Sequence, residues 1–342
     1  MKAVRIHEHG GAERLRYEEA PEPKLFAPTD VIVKLKAAAV NHSDLCIRRG
    51  LKEAPLPHIL GSDGAGVVTQ VGELVKNIKE GDSVCLYPAI GCGQCELCTT
   101  DREFMCIRLR LLGEHEDGTY AEYVRLPARN CFPIPAGFSF DEAAAFSTVY
   151  VTVWRMLITN AELKPGERVL ILGIGGGVAT SALQVASRIG THIIVTSSSA
   201  EKLARAKTLG ADYGIDDHNT DFAAEVRRLT GKRGVDVVVD CIGGNGWAKS
   251  LASLAKGGRL VSCGAVAGTC PPTDLRRIFW NHLRVFGSAL GSREEFKQVI
   301  NFVERSKIKP VIDRSFTLKD AARAHERLEE RKQFGKIVLC MD

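Results

Sequence analysis

The 342-residue sequence has no hydrophobic stretch as long as a membrane-spanning helix requires. No run approaches 18 uninterrupted apolar residues, and the opening segment, MKAVRIHEHGG, lacks the apolar core of a secretory signal. The sequence therefore predicts a cytoplasmic protein with no membrane partner.

The sequence also lacks any block or stripe of one charge. Its 46 Lys and Arg residues are scattered among 41 Asp and Glu residues, which leaves a net charge of +5. Nucleic-acid-binding surfaces concentrate basic residues, so this distribution argues against nucleic acid as a partner. With 25% charged and 45% apolar residues, the composition is that of a globular protein and excludes long disordered stretches.

A disulfide framework is a poor explanation for the cysteines. Their number, 11, is odd, and a chain of this length can fold without disulfide cross-links. Seven occur singly, several within apolar runs, and these are predicted to be small buried residues in a reducing compartment. They are Cys46, Cys85, Cys131, Cys241, Cys263, Cys270 and Cys340. The other four lie close together.

The sequence pattern changes near residue 150, and the chain is long enough for two domains. Up to about residue 150, short β-type runs alternate with Gly, Pro and Asp, which predicts a β-rich module. From there on, apolar strands alternate with helical segments, the pattern of a parallel sheet covered on both faces. After residue 286 the sequence predicts a helix over 292–307, an extended segment, a helix over 319–332 and a final strand.

The four clustered cysteines are Cys92, Cys95, Cys98 and Cys106. One loop can wrap these four thiolates around a tetrahedral ion, and a closed set of sulfur ligands favours structural zinc. An iron–sulfur cluster and a redox-active or empty loop are the alternatives. A closed site has no position for a substrate, so its predicted role is to stiffen the β-rich module.

A glycine cluster ends the first strand of the predicted parallel sheet. Gly173, Gly176 and Ala179 fit a G-x-x-G-x-x-A turn, in which Gly177 and Val178 open the following helix. Such a turn lets a dinucleotide phosphate approach the backbone at a helix N-terminus. A plain glycine-rich turn is the alternative to this predicted cofactor site.

The tip of the next strand carries Ser197, Ser198 and Ser199, followed by Lys202. An acidic residue there would favour NAD(H), whereas hydroxyl donors and a positive charge suit the 2′-phosphate of NADP(H). The serines would also cap the following helix, which is compatible with the prediction of NADP(H).

Taken together, the β-rich module, the four-cysteine loop, the glycine turn and the C-terminal FGKIVL resemble the medium-chain dehydrogenase/reductase superfamily over essentially the whole chain. The resemblance implies an α/β protein with a GroES-like catalytic domain, residues 1–150 and 287–342, and a doubly wound Rossmann domain, residues 151–286. It also implies a small-molecule substrate and a homodimer or homotetramer.

Zinc alcohol dehydrogenases of that superfamily hold a catalytic zinc with Cys, His and Cys. The matching positions here are Asn41, Ser62 and Thr148, whose neutral oxygens are poor zinc ligands. His42, Cys46 and Asp63 would be the candidates for a relocated site. The resemblance is therefore to a scaffold that keeps structural zinc and lacks the catalytic one.

Without a metal to polarise an alcohol oxygen, conjugate hydride addition is the favoured chemistry, because hydrogen-bond donors stabilise an enolate. Quinone oxidoreductases have Asn and Asp where this chain has Asn41 and Asp44, so the resemblance assigns Asn41 to the substrate or nicotinamide. Asp44 would have a supporting role or simply cap the following turn. Tyr150 and Tyr87 are candidate proton donors or core residues.

The resemblance also assigns further residues to the cofactor. Thr152 would contact the nicotinamide, the backbone of Gly264, Ala265 and Val266 would bind its carboxamide, and His42 and Lys336 would approach the pyrophosphate. The hypothesis is an NADPH-dependent reductase of quinones, enones or other activated double bonds. The alternatives are a zinc-type alcohol or ketone dehydrogenase with a relocated metal, and a catalytically inactive NADPH-binding regulatory or structural protein.

Overall fold

A computed structural model describes residues 1–341. It divides the chain into Met1–Thr148 with the segment from Ser292 onward, and Val149–Gly291. The boundaries predicted from sequence, at residues 150 and 286, lie within five residues of these. We refer to the two parts as unit 1 and unit 2.

The strands over the described residues are numbered in chain order. They are β1 (Lys2–Ile6), β2 (Arg16–Glu19), β3 (Asp30–Val40), β4 (His58–Ile59), β5 (Asp63–Val71), β6 (Ser83–Leu86), β7 (Ala89–Ile90), β8 (Arg110–Leu111), β9 (Tyr123–Pro127), β10 (Cys131–Pro133), β11 (Arg168–Ile171), β12 (His192–Ser197), β13 (Tyr213–Asp216), β14 (Val235–Asp240), β15 (Leu254–Ser262), β16 (Arg284–Gly287), β17 (Ile312–Thr317) and β18 (Lys336–Cys340).

The helices of the same residues follow the same order. They are α1 (His42–Arg48), α2 (Glu96–Thr99), α3 (Phe140–Trp154), α4 (Gly177–Ile189), α5 (Ala200–Thr208), α6 (Phe222–Leu229), α7 (Trp247–Ser253), α8 (Leu275–Trp280), α9 (Arg293–Ser306) and α10 (Ala321–Glu329). None of the helices in residues 1–341 combines the length and the hydropathy of a membrane span.

Unit 1 is built on a sheet in the order β10-β6-β5-β3-β18-β17, with β9 pairing with β3. β18 comes from the C-terminal part of the chain and runs antiparallel to β3, with Ile337 opposite Val40. A smaller sheet, β2-β1-β4, and the hairpin β7-β8 complete the unit. The consecutive alanines Ala37–Ala39 of β3 are fully buried, since both faces of that strand are covered.

Unit 2 has a parallel sheet in the order β13-β12-β11-β14-β15-β16. Its strands are buried runs such as Val237–Val239, as expected where helices cover both faces. The strand order reverses between β11 and β14, and ligands of such sheets bind beyond the carboxyl ends of the strands at that point. The predicted α/β fold class, a β-rich domain with a doubly wound domain, is confirmed.

Candidate active site

Asn41 lies between the end of β3 and the start of α1, at the carboxyl end of that strand. Because β3 pairs with β5 so that Ala39 faces Asp63, the side chain of Asn41 reaches the first residues of β5. Its Nδ2 donates to Ser62 Oγ at 3.2 Å and to Asp63 Oδ2 at 2.8 Å. The structure therefore brings together two of the positions that the resemblance aligns with zinc ligands.

A lysine completes this cluster. Lys336 opens β18, and its Nζ donates to Asn41 Oδ1 at 2.6 Å and to Asp63 Oδ2 at 2.9 Å. Both charged side chains are almost fully buried, with 4% of Lys336 and none of Asp63 exposed. The backbone N–H of Thr148 donates to the other Asp63 oxygen at 2.9 Å. Both oxygens of Asp63 therefore accept N–H donors.

These residues do not fit a metal ion. Each of the Asp63 oxygens is already hydrogen-bonded, and its charge is balanced by the Lys336 ammonium. Within residues 1–341, the four-cysteine loop alone brings at least three His, Cys, Asp or Glu ligand atoms close enough to share an ion. His42, Cys46 and Asp63, the candidates for a relocated site, are not brought together in such a group within the described residues.

Asp44 belongs to a second, buried chain of hydrogen bonds. Its Oδ2 accepts from Tyr120 Oη at 2.8 Å, and Tyr120 Oη also contacts His325 Nε2 at 3.1 Å. Arg48 Nη1 lies 3.2 Å from His325 Nδ1, and its other terminal nitrogen pairs with Glu329. Since arginine can only donate, His325 accepts at Nδ1 and donates from Nε2 to the tyrosine. The tyrosine hydroxyl therefore donates to Asp44.

These hydrogen bonds hold α1 in place beside Asn41. The backbone N–H of Asn41 donates to Asp44 Oδ2 at 2.8 Å, which is one half of a helix-capping arrangement. Burial and the Arg48 charge lower the pKa of His325 to about 3, which keeps its ring neutral. The capping role that the sequence offered for Asp44 is thus combined with a link to two residues far away in the sequence.

Burial raises the pKa of the Asp44 carboxyl from 3.8 to about 6, although the Asn41 N–H and the Tyr120 hydroxyl oppose the rise. The folded protein therefore holds this proton more tightly than the unfolded chain. The resulting stability is fully present below pH 3.8 and is lost as the pH rises through about 6. We expect the free energy of unfolding of the wild type to fall by about 3 kcal/mol over that window. Asp44→Asn has no titrating carboxyl at this position and should not show this fall.

Urea unfolding of the wild type and of Asp44→Asn between pH 4 and pH 7 measures this difference. All other titrating groups are the same in the two proteins, so their contributions cancel when the curves are subtracted. Tyr120→Phe is the companion variant. It removes a donor to the carboxylate and is expected to shift the midpoint of the fall to higher pH. Parallel stability curves for the wild type and Asp44→Asn would contradict the prediction.

The glycine turn of unit 2 follows β11 and opens α4. Gly173 and Gly175 have φ values of +65° and +120°, which favour glycine, and Gly176 is the N-cap of α4. A Cβ on Gly173 would lie 2.8 Å from Ile242 Cδ1, whereas one on Gly176 would meet no atom closer than 3.9 Å. Open space beside a helix N-terminus at the strand-order reversal fits a dinucleotide phosphate. The spacing of the sequence motif did not single out Gly175.

Gly177 and Val178, which the sequence assigns to the predicted cofactor site, lie in the first turn of α4, and Ala179 is buried. The turn is therefore a strand–turn–helix unit, the context that a dinucleotide-binding motif requires. Which of these residues contact a cofactor stays a prediction.

Of the serines that end and follow β12, Ser199 caps α5. Ser199 Oγ accepts from the Lys202 N–H at 3.4 Å, and Ser197 Oγ accepts from the Ser199 N–H at 3.1 Å. Ser198 is exposed and Lys202 is half-buried. A hydroxyl that accepts such a bond keeps its own O–H, so capping leaves these serines able to donate to a phosphate.

The remaining predicted residues lie in several different elements. Tyr150 is buried, and its hydroxyl donates to Gln184 at 2.5 Å, so proton donation to a substrate would require that bond to break. Tyr87 is buried against Phe132 and Phe296.

The residues assigned to the cofactor lie in three further places. His42 is exposed on α1, and Thr152 is buried in α3. Gly264, Ala265 and Val266 follow β15.

The four-cysteine loop lies between β7 and β8. Its Sγ atoms are all within 4.8 Å of one another, with Cys92 and Cys98 at 3.9 Å and Cys95 and Cys106 at 3.7 Å. Zinc–sulfur bonds of about 2.3 Å in a tetrahedron place sulfurs about 3.8 Å apart, so the loop fits zinc. Backbone N–H groups of Gln94 and Cys95 lower the pKa of Cys92, which favours the thiolate that binds metal.

Two protein-family models match parts of both units. A zinc-binding dehydrogenase model matches residues 177–305, and an alcohol dehydrogenase GroES-like domain model matches residues 27–136. A zinc-type alcohol dehydrogenase-like protein of Schizosaccharomyces pombe is 36% identical, with 100% of this chain and 99% of that protein covered. An NAD-dependent alcohol dehydrogenase of Sulfolobus acidocaldarius is 34% identical, with 99% of each covered.

Among solved structures, one of an NAD-dependent alcohol dehydrogenase is similar over the full length of both chains. The sequence identity is 41% and the TM-score is 0.96. These likenesses extend over both units of the chain.

Proposed function

Because this chain belongs to the medium-chain dehydrogenase/reductase superfamily, on the scaffold of the zinc-type alcohol dehydrogenases, we propose that it reduces quinones, enones or other activated double bonds with NADPH. The hydride transfer proceeds without a catalytic zinc. The observation that carries this proposal is the buried Lys336 ammonium. It is bound to Asn41, which is one of the aligned ligand positions, and to Asp63, which directly follows another, Ser62.

The reduced nicotinamide supplies the hydride when it is bound. Hydride addition to the β-carbon of an enone leaves negative charge on the enolate oxygen, and positioned donors stabilise that charge. Lys336 has three N–H donors, of which two reach Asn41 Oδ1 and Asp63 Oδ2, and in this proposal the third binds the substrate oxygen. A solvent proton at the α-carbon completes the reaction. Contact between Lys336 and the pyrophosphate stays a prediction.

The test is to exchange the metal out of the full-length protein and measure turnover on an enone and on a secondary alcohol. We expect NADPH-dependent enone reduction that a chelator does not inhibit, as long as the protein stays folded. Alcohol oxidation that is lost with a chelator and restored by zinc would overturn the proposal. Cofactor binding without turnover on any acceptor would support a non-enzymatic protein.

A zinc-dependent alcohol dehydrogenase is the second candidate function. The names of the relatives support it, since the proteins of S. pombe and S. acidocaldarius are named for zinc-type and NAD-dependent alcohol dehydrogenases. The name of the S. acidocaldarius protein also favours NAD(H). Against this candidate stands the chemistry of Asn41, Ser62 and Thr148, which offer a zinc ion no thiolate and no imidazole.

NADP(H) preference is a separate part of the proposal, supported by Ser197, Ser199 and Lys202 at the end of β12. We expect Lys202→Glu to lower the ratio of kcat/KM for NADPH to that for NADH by about tenfold or more, because it replaces attraction of a phosphate by repulsion. Lys207→Glu makes the same charge change on α5, away from the strand tip. If both variants shift the ratio equally, Lys202 has no specific role.

Self-association as a homodimer or homotetramer is also proposed. Support comes from β16, an edge strand of the unit 2 sheet, where Val285 is 41% exposed, and from Phe279 and Trp280 on α8, which are 64% and 66% exposed. Exposed apolar residues on a sheet edge favour pairing with another chain. We expect light scattering to give a mass above that of one chain and Val285→Glu to lower it. A monomeric wild type would contradict this.

A further inference from the structure

Two cysteines of unit 2 lie side by side at the carboxyl end of its sheet. Cys241 follows β14 and Cys263 follows β15, which are parallel neighbours with Asp240 opposite Ser262. Their Sγ atoms are 3.4 Å apart. Neighbouring strands lie about 4.8 Å apart, which is within the range of Cα separations that a disulfide can bridge.

The two cysteines begin loops that are packed tightly against each other. Ala267 N donates to Ile242 O at 2.8 Å, and Gly244 N donates to Gly268 O at 3.1 Å. A Cβ on Gly244 would lie only 2.5 Å from Ala267 O. A disulfide is about 2.05 Å long, so the sulfurs must approach by roughly 1.4 Å. In loops packed this closely, strain at either cysteine is transmitted to the backbone of both.

We propose that Cys241 and Cys263 form a redox-active dithiol, and that its oxidation to a disulfide weakens binding of the nicotinamide cofactor. The effect on binding rests on the proposed function, in which the backbone of Gly264, Ala265 and Val266 holds the carboxamide. Gly264 directly follows Cys263, and a Cβ on it would lie 3.2 Å from Cys241 O. Closing the disulfide therefore moves the peptide groups that would bind the cofactor.

The oxidant is a low-molecular-weight disulfide of the glutathione type. The Cys263 thiolate attacks one of its sulfurs, which forms a mixed disulfide and releases the first thiol. The Cys241 thiol then loses its proton to solvent and attacks Cys263 Sγ, which releases the second thiol. The protein loses two electrons and two protons, and the oxidant is reduced to two thiols. A disulfide strained by its neighbours is readily reduced, which makes the step reversible.

The order of attack follows from the environment of the pair. The hydrogen bond with Cys263, together with burial, raises the pKa of the Cys241 thiol well above its ordinary value. Cys241 therefore stays protonated during the first step and serves as the resolving thiol.

The experiment uses the full-length, zinc-loaded protein in glutathione buffers of increasing oxidised fraction. After alkylation and tryptic digestion, we expect residues 234–249 to be linked to residues 260–276, because Lys249 and Arg259 separate the two cysteines. The second peptide also contains Cys270, so the mapping is repeated in Cys270→Ser. The link must survive in that variant and disappear in Cys263→Ser.

Cofactor affinity is measured in the same samples by NADPH fluorescence. Oxidation is expected to weaken binding by about tenfold, the effect of losing one hydrogen bond, and dithiothreitol should restore it. Cys263→Ser should show no change on oxidation, whereas Cys241→Ser should accumulate the mixed disulfide at Cys263, which intact-protein mass spectrometry detects. Absence of the cross-link, or a cross-link with unchanged affinity, would overturn the inference. Neither measurement needs a substrate, so failure of enone reduction leaves this test intact.

Discussion

Replacing Lys336 with methionine is expected to lower the unfolding free energy of unit 1 by roughly 3–5 kcal/mol. The variant leaves the Asp63 carboxylate fully buried with hydrogen bonds from Asn41 and Thr148 but without a cation. A methionine of similar length fills the space, so the cost arises from the unpaired charge and not from a cavity. Enone turnover should fall in parallel if the ammonium stabilises the enolate.

The measurement must report on unit 1. The three tryptophans, Trp154, Trp247 and Trp280, all lie in Val149–Gly291, so tryptophan fluorescence follows unit 2. Hydrogen exchange of peptides from β3, β5 and β18 reports on the correct sheet. These strands are hydrogen-bonded neighbours of the buried pair and should lose protection together.

Two further variants separate the effect of burial from that of charge. Lys309→Met breaks an ion pair with Glu142 at 2.9 Å in which the lysine is 55% exposed, and the expected cost is below about 1 kcal/mol. Combining Lys336→Met with Asp63→Asn removes both charges and should recover much of the lost stability. If Lys336→Met costs no more than Lys309→Met, the buried pair does not hold unit 1 together.

The parts of the fold that were predictable from sequence are those in which neighbouring residues carry the signal. The buried strands of unit 2 are continuous apolar runs, and the helices predicted over 292–307 and 319–332 correspond to α9 (Arg293–Ser306) and α10 (Ala321–Glu329). The zinc loop was predictable because its ligands lie within 15 residues of one another. Asn41, Ser62 and Thr148 were found only by comparison with a family pattern.

What the sequence could not show depends on contacts between distant residues. Lys336 and Asp63 are 273 residues apart, and Tyr120 and His325 are 205 apart, so no local pattern links them. The same holds for Cys241 and Cys263, which are neighbours because β14 and β15 are adjacent in the sheet. Strand pairing sets these contacts, and pairing is a property of the tertiary fold.

Removal of zinc from the four-cysteine loop is the second change with a large expected effect. Cys98→Ser replaces a buried sulfur ligand by a hydroxyl, which is a poor zinc ligand, and should abolish zinc binding at the site. Zinc binding by such sets of ligands contributes on the order of 10 kcal/mol to the structure that depends on it. We therefore expect the segment between β7 and β8 to lose its protection from hydrogen exchange, while the sheet of unit 2 keeps its own.

Zinc content measured by plasma mass spectrometry also decides between the two candidate functions. The ligand chemistry at Asn41, Ser62 and Thr148 predicts one zinc per chain in the wild type and none in Cys98→Ser. Cys270→Ser, which removes an exposed cysteine in unit 2, is the matched control and should keep one. Two zinc ions in the wild type and one in Cys98→Ser would reveal a second metal site. That outcome would support the zinc-dependent alcohol dehydrogenase, since the remaining ion could serve as the Lewis acid that alcohol oxidation requires.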